Sequence, residues 1–181
     1  MPSSRKARDH ELLDAVDACE REALDTVVWR VVREGRDPLQ GYPAGARWDP
    51  GTFDVLYTSS ERDGALAEIH FHLSRQPVFP SKLRAVLHRV AVHTTRTLRI
   101  ADLGALEAFG VERASYTELL YRRTQEIGDA AHFLGFDALL VPSARWRCSN
   151  LVIFTDRLNP ADLIVEDSEP VDWQLWRTRT R

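Results

Sequence analysis

The sequence predicts an α+β domain with a core of mixed or antiparallel β-sheet and helices inserted between the strands. Three observations predict it. Segments rich in β-branched and aromatic residues outnumber helical ones, they rarely alternate with helices as βαβ units would require, and the length of 181 residues fits one domain. With 44% hydrophobic and 28% charged residues, the chain is expected to be globular rather than disordered or split into two domains.

The N-terminal part of the chain predicts a helix, a strand and a long loop. Apolar residues at helical spacing indicate an amphipathic helix over residues 10–24. The segment VVWRVV at 27–32 is typical of a strand. Closely spaced glycines and prolines in residues 33–52 predict an irregular loop, and loops of this length in compact domains are usually functional or mobile.

A second strand and a second helix are expected next. Residues 55–59 predict a short strand, after which Ser60 opens a helix to about Ser74 with Asp63 at its capping-box position. The buried stripe of this helix consists of apolar residues at helical spacing, namely Ala65, Leu66, Ile69 and Leu73.

The C-terminal half is expected to be mostly β-structure with one long helix. Residues 84–103 predict two strands around the polar TTRT turn. A helix is expected from about Tyr116 to Leu134, where Gly135 ends it. Further strands are predicted at 137–143, at 150–155 and, more weakly, at 161–167. The basic residues 173–181 are expected to form a surface strand or tail.

The charge balance limits the partners that the chain can bind. It has 24 basic and 27 acidic residues and a net charge of -3, so it lacks the overall basic excess of a protein that coats nucleic acid. Of the cations, 22 are arginine, whose planar fork suits phosphate or carboxylate groups. No nucleic-acid partner is therefore expected.

The cysteines and the N-terminal residues predict the compartment. Cys19 and Cys148 form neither a disulfide framework nor a metal-ligand set, so a reducing environment fits them best. Residues 1–10 are polar and lack the apolar segment of a signal peptide, and no aliphatic run approaches the length of a membrane span. A soluble cytoplasmic protein without a membrane partner is expected.

Candidate functional residues are scattered, because the common nucleotide, zinc-protease and hydrolase motifs are absent. They lie at strand edges, in the long loop and in the second helix: Arg30, Arg47, Tyr57, Glu68, Ser143 and Asn150. Each alone has an ordinary interpretation. Arg30 could lie on the outer face of its strand, Glu68 could be a solvated helix carboxylate, and Ser143 could be a turn or cap serine.

A metal site is disfavoured by the spacing of two histidines. His70 and His72 lie two residues apart in the predicted second helix, where such residues point to different sides. Cys148 is expected to pack inertly. The sequence therefore predicts no metal ligands.

Taken in order, several segments resemble the RES domain family. They are WR (29–30), GARWDPG (45–51), VLYTSSE (55–61), ALAE (65–68), TQEIGDAAHFLGFDALLVPSAR (124–145) and SNLVIF (149–154). The arginine, glutamate and serine that name this family correspond to Arg47, Glu68 and Ser143. The resemblance spans Trp29 to Phe154, most of the chain.

The resemblance implies a fold similar to that of ADP-ribosyltransferase toxins, with a cleft that binds NAD. Members of the family act mostly as toxins of toxin–antitoxin pairs that degrade NAD, and at least one branch transfers ADP-ribose to a protein. Residues 1–26 would then be a helical extension, and residues 27–181 the RES-like catalytic domain. An antitoxin is the implied partner, and NAD is the implied substrate, with no separate cofactor.

The same resemblance assigns the site residues. Glu68, Arg47 and Ser143 would be catalytic. The residues that bind NAD would be Arg30, Arg47, Tyr57, Ser143 and Asn150. The sequence departs from the family pattern at Ala46, which replaces a glycine, at Val31, which replaces a tyrosine of some members, and at Asp49, which replaces an asparagine. Asp49 is expected to add negative charge near the diphosphate.

Elementary chemistry is consistent with these roles. Two arginines can grip a diphosphate bidentately, and loss of nicotinamide develops a positive charge on the ribose that Glu68 can stabilise. Tyr57 can stack on nicotinamide, and Ser143 can hydrogen-bond the ribose or the carboxamide. Transfer of ADP-ribose to water or phosphate, transfer to a macromolecule, and non-catalytic binding of a nucleotide or partner all remain open.

Overall fold

The computed structural model describes residues 7–80 and 82–180 and has an α+β architecture. The strands are β1 (Glu22–Arg33), β2 (Val55–Ser59), β3 (Ala85–Arg99), β4 (Ala138–Pro142), β5 (Ser149–Phe154) and β6 (Leu163–Pro170). The helices are α1 (His10–Asp17), α2 (Arg62–Ser74), α3 (Leu103–Ala108), α4 (Arg122–Phe133) and α5 (Trp173–Arg179). No helix in these two ranges is both long and apolar enough to cross a bilayer.

The strands form one mixed sheet whose pairings close into a ring. The order is β1-β2-β5-β4-β3-β6, and β1 also pairs with β3. Every pairing is antiparallel except that of β3 with β4. The predicted mixed sheet with inserted helices is confirmed.

β3 is one strand, so the prediction of two strands within residues 84–103 was wrong. The expected turn is replaced by extended backbone, because the carboxylate of Asp137 accepts the N–H groups of Thr95 at 2.7 Å and Arg96 at 2.9 Å. The strand therefore pairs with β1 and β6 first, and only its last residues, 97–99, pair with β4.

The first helix is shorter than predicted. Asp9 caps α1 by accepting the N–H groups of Glu11 and Leu12, and the helix ends at Asp17 rather than near residue 24. Residues 22–24 instead begin β1, where Leu24 pairs with Thr94 of β3. The apolar residues that extended the helical pattern therefore belong to a strand, and the expected domain boundary at residue 26 falls inside it.

α2 ends at Ser74 as predicted, but it begins two residues after Ser60, the predicted start. Its first residue is Arg62, and the helix has no side-chain cap. The hydroxyl oxygen of Ser60 instead accepts the N–H of Ser149 on β5. The capping box expected between Ser60 and Asp63 is therefore absent from this turn.

The later helices differ most from the sequence pattern. α4 begins six residues after the predicted Tyr116, because the hydroxyl of that tyrosine donates to the carbonyl of Pro142 at 2.6 Å and holds its segment in turns. The helix ends before Gly135, as predicted, where φ is +81°. The expected C-terminal strand or tail is helix α5, which forms because Trp173 and Trp176 are buried one turn apart.

The helices pack against the sheet in separate apolar clusters. α1 and α4 contribute Val16 and Ile127 to the largest apolar cluster. α2 and α5 contribute Leu66 and Trp176 to another cluster, which also contains Leu87 of β3. α2 is thereby fixed beside β1 and β2.

Candidate active site

A cleft of about 1020 Å³ lies between β1, β2, α2 and the loop of residues 34–54. Five of the six residues singled out in the sequence line it: Arg30, Arg47, Tyr57, Glu68 and Asn150. Arg30, Tyr57 and Asn150 lie on the strands β1, β2 and β5. Glu68 lies on α2, and Arg47 lies in the loop. The sixth, Ser143, does not line the cleft but contacts a residue that does.

Glu68 presents its carboxylate from the face of α2 that lines the cleft. The lining residues of this helix recur at helical spacing, namely Ala65, Glu68, Ile69 and His72. Oε1 of Glu68 accepts two hydrogen bonds, from the Ser143 hydroxyl at 2.8 Å and from Nδ2 of Asn150 at 2.9 Å. Oε1 is therefore fixed by a residue that follows β4 and by a residue near the start of β5. Oε2 accepts no hydrogen bond from the described residues and is left for other partners.

Ser143 lies outside the cleft lining and holds the carboxylate of Glu68 in place through a hydrogen bond. Its oxygen accepts the N–H groups of Arg145 at 3.1 Å and Trp146 at 3.2 Å, while its hydroxyl hydrogen is donated to Glu68. The serine has its donor and both acceptor positions in use. This geometry favours positioning of the carboxylate over the direct ribose or carboxamide contact expected from the sequence.

Arg30 is a buried cation on β1. Only 8% of the residue is exposed, Nη1 donates to the Tyr57 carbonyl at 2.8 Å, and Nε has no partner among the described residues. Burial lowers the pKa of its guanidinium, and interactions with Tyr42 and Asp37 oppose that shift. Arg30 thus faces the cleft and not the outer surface of the sheet.

Arg47 is held between two aromatic rings. Its guanidinium carbon lies 4.8 Å from the ring centre of Tyr116 and 4.7 Å from that of Tyr121. Nη2 donates to the carbonyl of Glu118 at 3.1 Å, whereas Nη1 is buried without a partner in the described residues. The side chain is therefore ordered and still has donors for an anion.

Tyr57 contributes a ring to the cleft and a hydroxyl to the loop beneath it. The hydroxyl donates to Oδ1 of Asp49 at 2.7 Å and accepts the N–H of Trp48 at 2.9 Å. Burial, reinforced by the nearby Asp49 carboxylate, raises the pKa of Tyr57 well above its usual value. The phenol is neutral at physiological pH, and its ring is the part available to a ligand.

Asp49 organises the loop and does not face the cleft, which corrects the expectation of added negative charge at the diphosphate. The residue is fully buried and is not among those that line the cleft. Besides the Tyr57 hydroxyl, its carboxylate accepts the N–H groups of Gly45 at 2.7 Å, Ala46 at 3.1 Å and Gly51 at 3.2 Å. These four donors offset its charge and fix the loop that carries Arg47.

A close approach of two backbones fixes the same loop against α4. A Cβ on Gly128 would overlap the carbonyl oxygen of Trp48, so the contact requires glycine. Nε2 of Gln125, one turn earlier in α4, donates to the carbonyl of Ala46 at 2.8 Å. Arg47 is therefore positioned by a helix more than 70 residues away in sequence.

Several cleft residues were not identified from the sequence. Arg145 and Tyr121 line the cleft, and so does His72, which lies one helical turn after Glu68. Helical spacing from Glu68 could have identified His72, but no sequence pattern connects Tyr121 or Arg145 with Arg47. These contacts depend on tertiary structure.

The two histidines of α2 occupy different environments. His70 packs against the rings of Phe79 and Trp176, and His72 lines the cleft. Across residues 7–80 and 82–180, no group of three or more histidine, cysteine or acidic side chains is arranged to hold a metal ion. Cys148 contacts the Ser59 hydroxyl at 3.2 Å, and burial raises the pKa of its thiol.

None of the five arginines that line the cleft makes an ion pair with a carboxylate in the described chain. The five are Arg30, Arg33, Arg36, Arg47 and Arg145, and nine other arginines of the described chain do form such pairs. Those nine are Arg8, Arg21, Arg62, Arg84, Arg89, Arg99, Arg122, Arg123 and Arg157. Unpaired guanidinium groups in a concave site are suited to an anionic ligand.

Fold and cleft together define a class of protein: an α+β ring of strands with a cleft of unpaired arginines, aromatic rings and one fixed carboxylate. The RES domain model matches residues 27–176. The chain belongs to the RES domain family, which confirms the resemblance found in its sequence.

Two curated relatives and one solved structure are similar to this chain. The probable NAD(+) phosphorylase Rv3189 of Mycobacterium tuberculosis is 31% identical over 155 residues, 82% of this chain and 73% of that protein. The NAD(+) phosphorylase MbcT of Mycobacterium bovis is 25% identical over 169 residues, 90% of this chain and 91% of that protein. The crystal structure of the M. tuberculosis MbcT–MbcA toxin–antitoxin complex contains a chain with a TM-score of 0.84 and 24% identity, covering 95% of this chain and 98% of that one. This likeness confirms the predicted fold class.

Proposed function

We propose that the chain consumes NAD by cleaving the bond between nicotinamide and ribose and passing ADP-ribose to phosphate or water. NAD is the substrate, and the proposal includes no further cofactor and no metal. One observation carries it: the carboxylate of Glu68 is fixed by Ser143 and Asn150 inside a cleft whose guanidinium groups have no ion-pair partner in residues 7–80 and 82–180.

The role of Glu68 is to stabilise the charge that develops on the ribose. Departure of neutral nicotinamide leaves an oxocarbenium-like cation, and a fixed carboxylate stabilises it without having to reorganise. Because Oε1 is held by two donors, Oε2 remains to face the cation. Nicotinamide is a good leaving group, so no general acid is required.

Binding of NAD falls to the arginines and to Tyr57. Arg30 and Arg47 each retain a buried donor without a partner among the described residues, which suits them to the oxygens of the diphosphate. Tyr57 offers its ring for stacking, since its hydroxyl is engaged by Asp49. Asn150 orients Glu68 through Nδ2, and its buried Oδ1 has no partner within the described residues.

The relatives favour phosphate over water as the acceptor. Rv3189 and MbcT are both named NAD(+) phosphorylases, the first as a probable one. Phosphate in the form of its dianion has a deprotonated oxygen ready to attack, whereas water must lose a proton in the process. Transfer to a protein acceptor and non-catalytic binding are the alternatives.

A protein inhibitor is the second part of the proposal. A free enzyme of this kind would drain a shared cofactor, so we propose that the chain is the toxin of a toxin–antitoxin pair. The structurally similar MbcT was solved with the antitoxin MbcA. A carboxylate of the inhibitor could pair with Arg30 and Arg47 in place of diphosphate, making inhibition competitive with NAD.

The deciding experiment is incubation of the purified chain with NAD, with and without inorganic phosphate, followed by identification of products. Phosphate-dependent formation of ADP-ribose 1″-phosphate supports the main proposal. Label transferred from NAD to an added protein would support the macromolecular alternative. Intact NAD in the presence of folded protein would overturn catalysis and leave a binding module.

A further inference from the structure

The proposed reaction brings two anionic reactants into one cleft, the diphosphate of NAD and the acceptor phosphate. Arg30 and Arg47 are assigned to the diphosphate. Arg145 is another of the five arginines that line the cleft without an ion pair in the described chain, and no role in the reaction has been assigned to it. Its surroundings indicate which anion it meets.

Arg145 is tied to Glu68 through one shared atom. The Ser143 hydroxyl donates to Glu68 and its oxygen accepts the backbone N–H of Arg145 at 3.1 Å. The backbone of Arg145 is therefore fixed relative to the carboxylate that faces the reacting carbon. The side chain of Arg145 extends from this fixed point and lines the same cleft as Glu68.

The side chain of Arg145 is ordered but not neutralised. Its guanidinium carbon lies 3.4 Å from the ring centre of Phe71, and Nη1 donates to the carbonyl of Thr117 at 2.7 Å. These contacts use one of its nitrogens, and Nε and Nη2 have no hydrogen-bond acceptor in the described residues. A planar fork held in this way can donate twice to one phosphate.

The charges around Arg145 differ from those around Arg30. Arg145 interacts with Glu68 and with the cations Arg47 and Arg75, and burial lowers its pKa. The charged and polar groups that act on the pKa of Arg30 are Tyr42 and Asp37. Arg145 therefore lies in the part of the cleft that contains Glu68 and Arg47.

His72 completes the region near Glu68. Burial lowers the pKa of its imidazole, with Glu68 opposing and Arg145, Arg75 and Arg47 reinforcing that shift. The neutral ring can accept a hydrogen bond from the P–OH group of hydrogenphosphate, which an arginine cannot do.

Resting on the proposed function, we propose that Arg145 and His72 form the subsite for the acceptor, inorganic phosphate. An oxygen of HPO₄²⁻ forms a bond to C1 of the nicotinamide ribose, and the bond from that carbon to nicotinamide breaks. Its electron pair stays with the pyridinium nitrogen, so neutral nicotinamide leaves. The products are nicotinamide and ADP-ribose 1″-phosphate, which retains the proton of hydrogenphosphate.

The test separates the two substrates kinetically. NAD turnover is measured against phosphate concentration, with ADP-ribose 1″-phosphate and ADP-ribose quantified separately. For Arg145→Gln we expect the KM for phosphate to rise ~10- to 100-fold, as for loss of a charge-assisted hydrogen bond. The KM for NAD should change by less than about twofold, and the product should shift towards ADP-ribose.

Controls keep the result interpretable. Arg147→Gln removes an exposed arginine two residues further along the chain, outside the cleft, and should change neither constant. His72→Gln tests the subsite through a residue on α2, and should raise the KM for phosphate even if Arg145→Gln folds poorly by circular dichroism.

The opposite pattern overturns the proposal. A raised KM for NAD with an unchanged KM for phosphate would place Arg145 on the diphosphate, and no change in either would remove it from the reaction. A second readout is calorimetry, which measures the binding of inorganic phosphate in the absence of NAD to the wild type and to Arg145→Gln. If wild type leaves NAD intact, the proposed function fails, while phosphate binding lost in Arg145→Gln still identifies the subsite.

Discussion

The hydroxyl of Ser143 donates to Oε1 of Glu68 at 2.8 Å, across 75 residues of sequence. The bond joins the turn after β4 to the middle of α2, and it selects one orientation of the carboxylate. Asn150 reinforces that orientation through the same oxygen.

Glu68→Gln should slow NAD cleavage by about 10²-fold or more, since a neutral amide cannot stabilise the developing cation. The amide oxygen of glutamine can still accept the hydrogen bonds from Ser143 and Asn150, so the fold and thermal midpoint should be close to those of wild type. Steady-state NAD consumption and a melting curve check both statements. Near-normal turnover would remove Glu68 from the reaction.

Ser143→Ala should lower kcat by less than Glu68→Gln does, because it frees the carboxylate to rotate but leaves its charge. It also removes the acceptor of two backbone N–H groups, at a cost of ~1 kcal/mol in stability. Ser143→Thr restores a hydroxyl and should recover most of kcat. Failure of threonine to rescue, with KM for NAD raised instead, would favour a direct contact with substrate.

Arg47→Lys should raise the KM for NAD about tenfold or more, because an ammonium cannot donate to the diphosphate as a planar fork. Its kcat should change less. Arg84→Lys is the matched control, since that side chain is 81% exposed on the surface. An unchanged KM for Arg47→Lys would count against a contact with the diphosphate.

Gly128→Ala should destabilise the protein by ~1–3 kcal/mol and raise the KM for NAD, because its Cβ would push the Trp48 carbonyl and shift the loop that carries Arg47. Gly104→Ala in α3 is the comparison, where the nearest atom to an added Cβ is a carboxylate oxygen of Asp102 at 3.2 Å. Denaturant melts of both variants measure the difference. Equal stability of the two would show that the loop adapts freely.

Asp49→Asn should destabilise the loop by ~1–3 kcal/mol although it restores the residue expected from the family pattern. Both carboxylate oxygens of Asp49 accept two donors each, and an amide nitrogen can accept none. Thermal denaturation and the KM for NAD report the effect. A variant as stable as wild type would mean that Tyr57 reverses its hydroxyl and accepts from the amide.

The sequence predicted the elements whose apolar pattern is local. β2, β5 and the C-terminal end of α2 lie where periodicity placed them. The failures have long-range causes: Asp137 straightens β3 by accepting two of its N–H groups, and Leu24 leaves the helical pattern to pair with Thr94. A pattern within one segment contains no information about such partners.

The candidate site likewise contains residues that the sequence predicted and contacts that it could not predict. Arg30, Arg47, Tyr57, Glu68 and Asn150 were selected from the sequence, and all five line one cleft. The engaged hydroxyl of Ser143 and the burial of Asp49 could not be predicted, since both depend on hydrogen bonds formed only in the folded chain. Arg145 and Tyr121 were missed because their proximity to Arg47 is set by tertiary packing.

The segment between α3 and α4 has a thermodynamic consequence for ligand binding. Its carbonyls at Thr117 and Glu118 hold the guanidinium groups of Arg145 and Arg47 in place before any anion arrives. A free arginine side chain loses up to ~2 kcal/mol of rotamer entropy when it is immobilised, and here that loss has occurred during folding. Association of an anion with this cleft should therefore show a smaller entropic penalty than binding to mobile surface arginines.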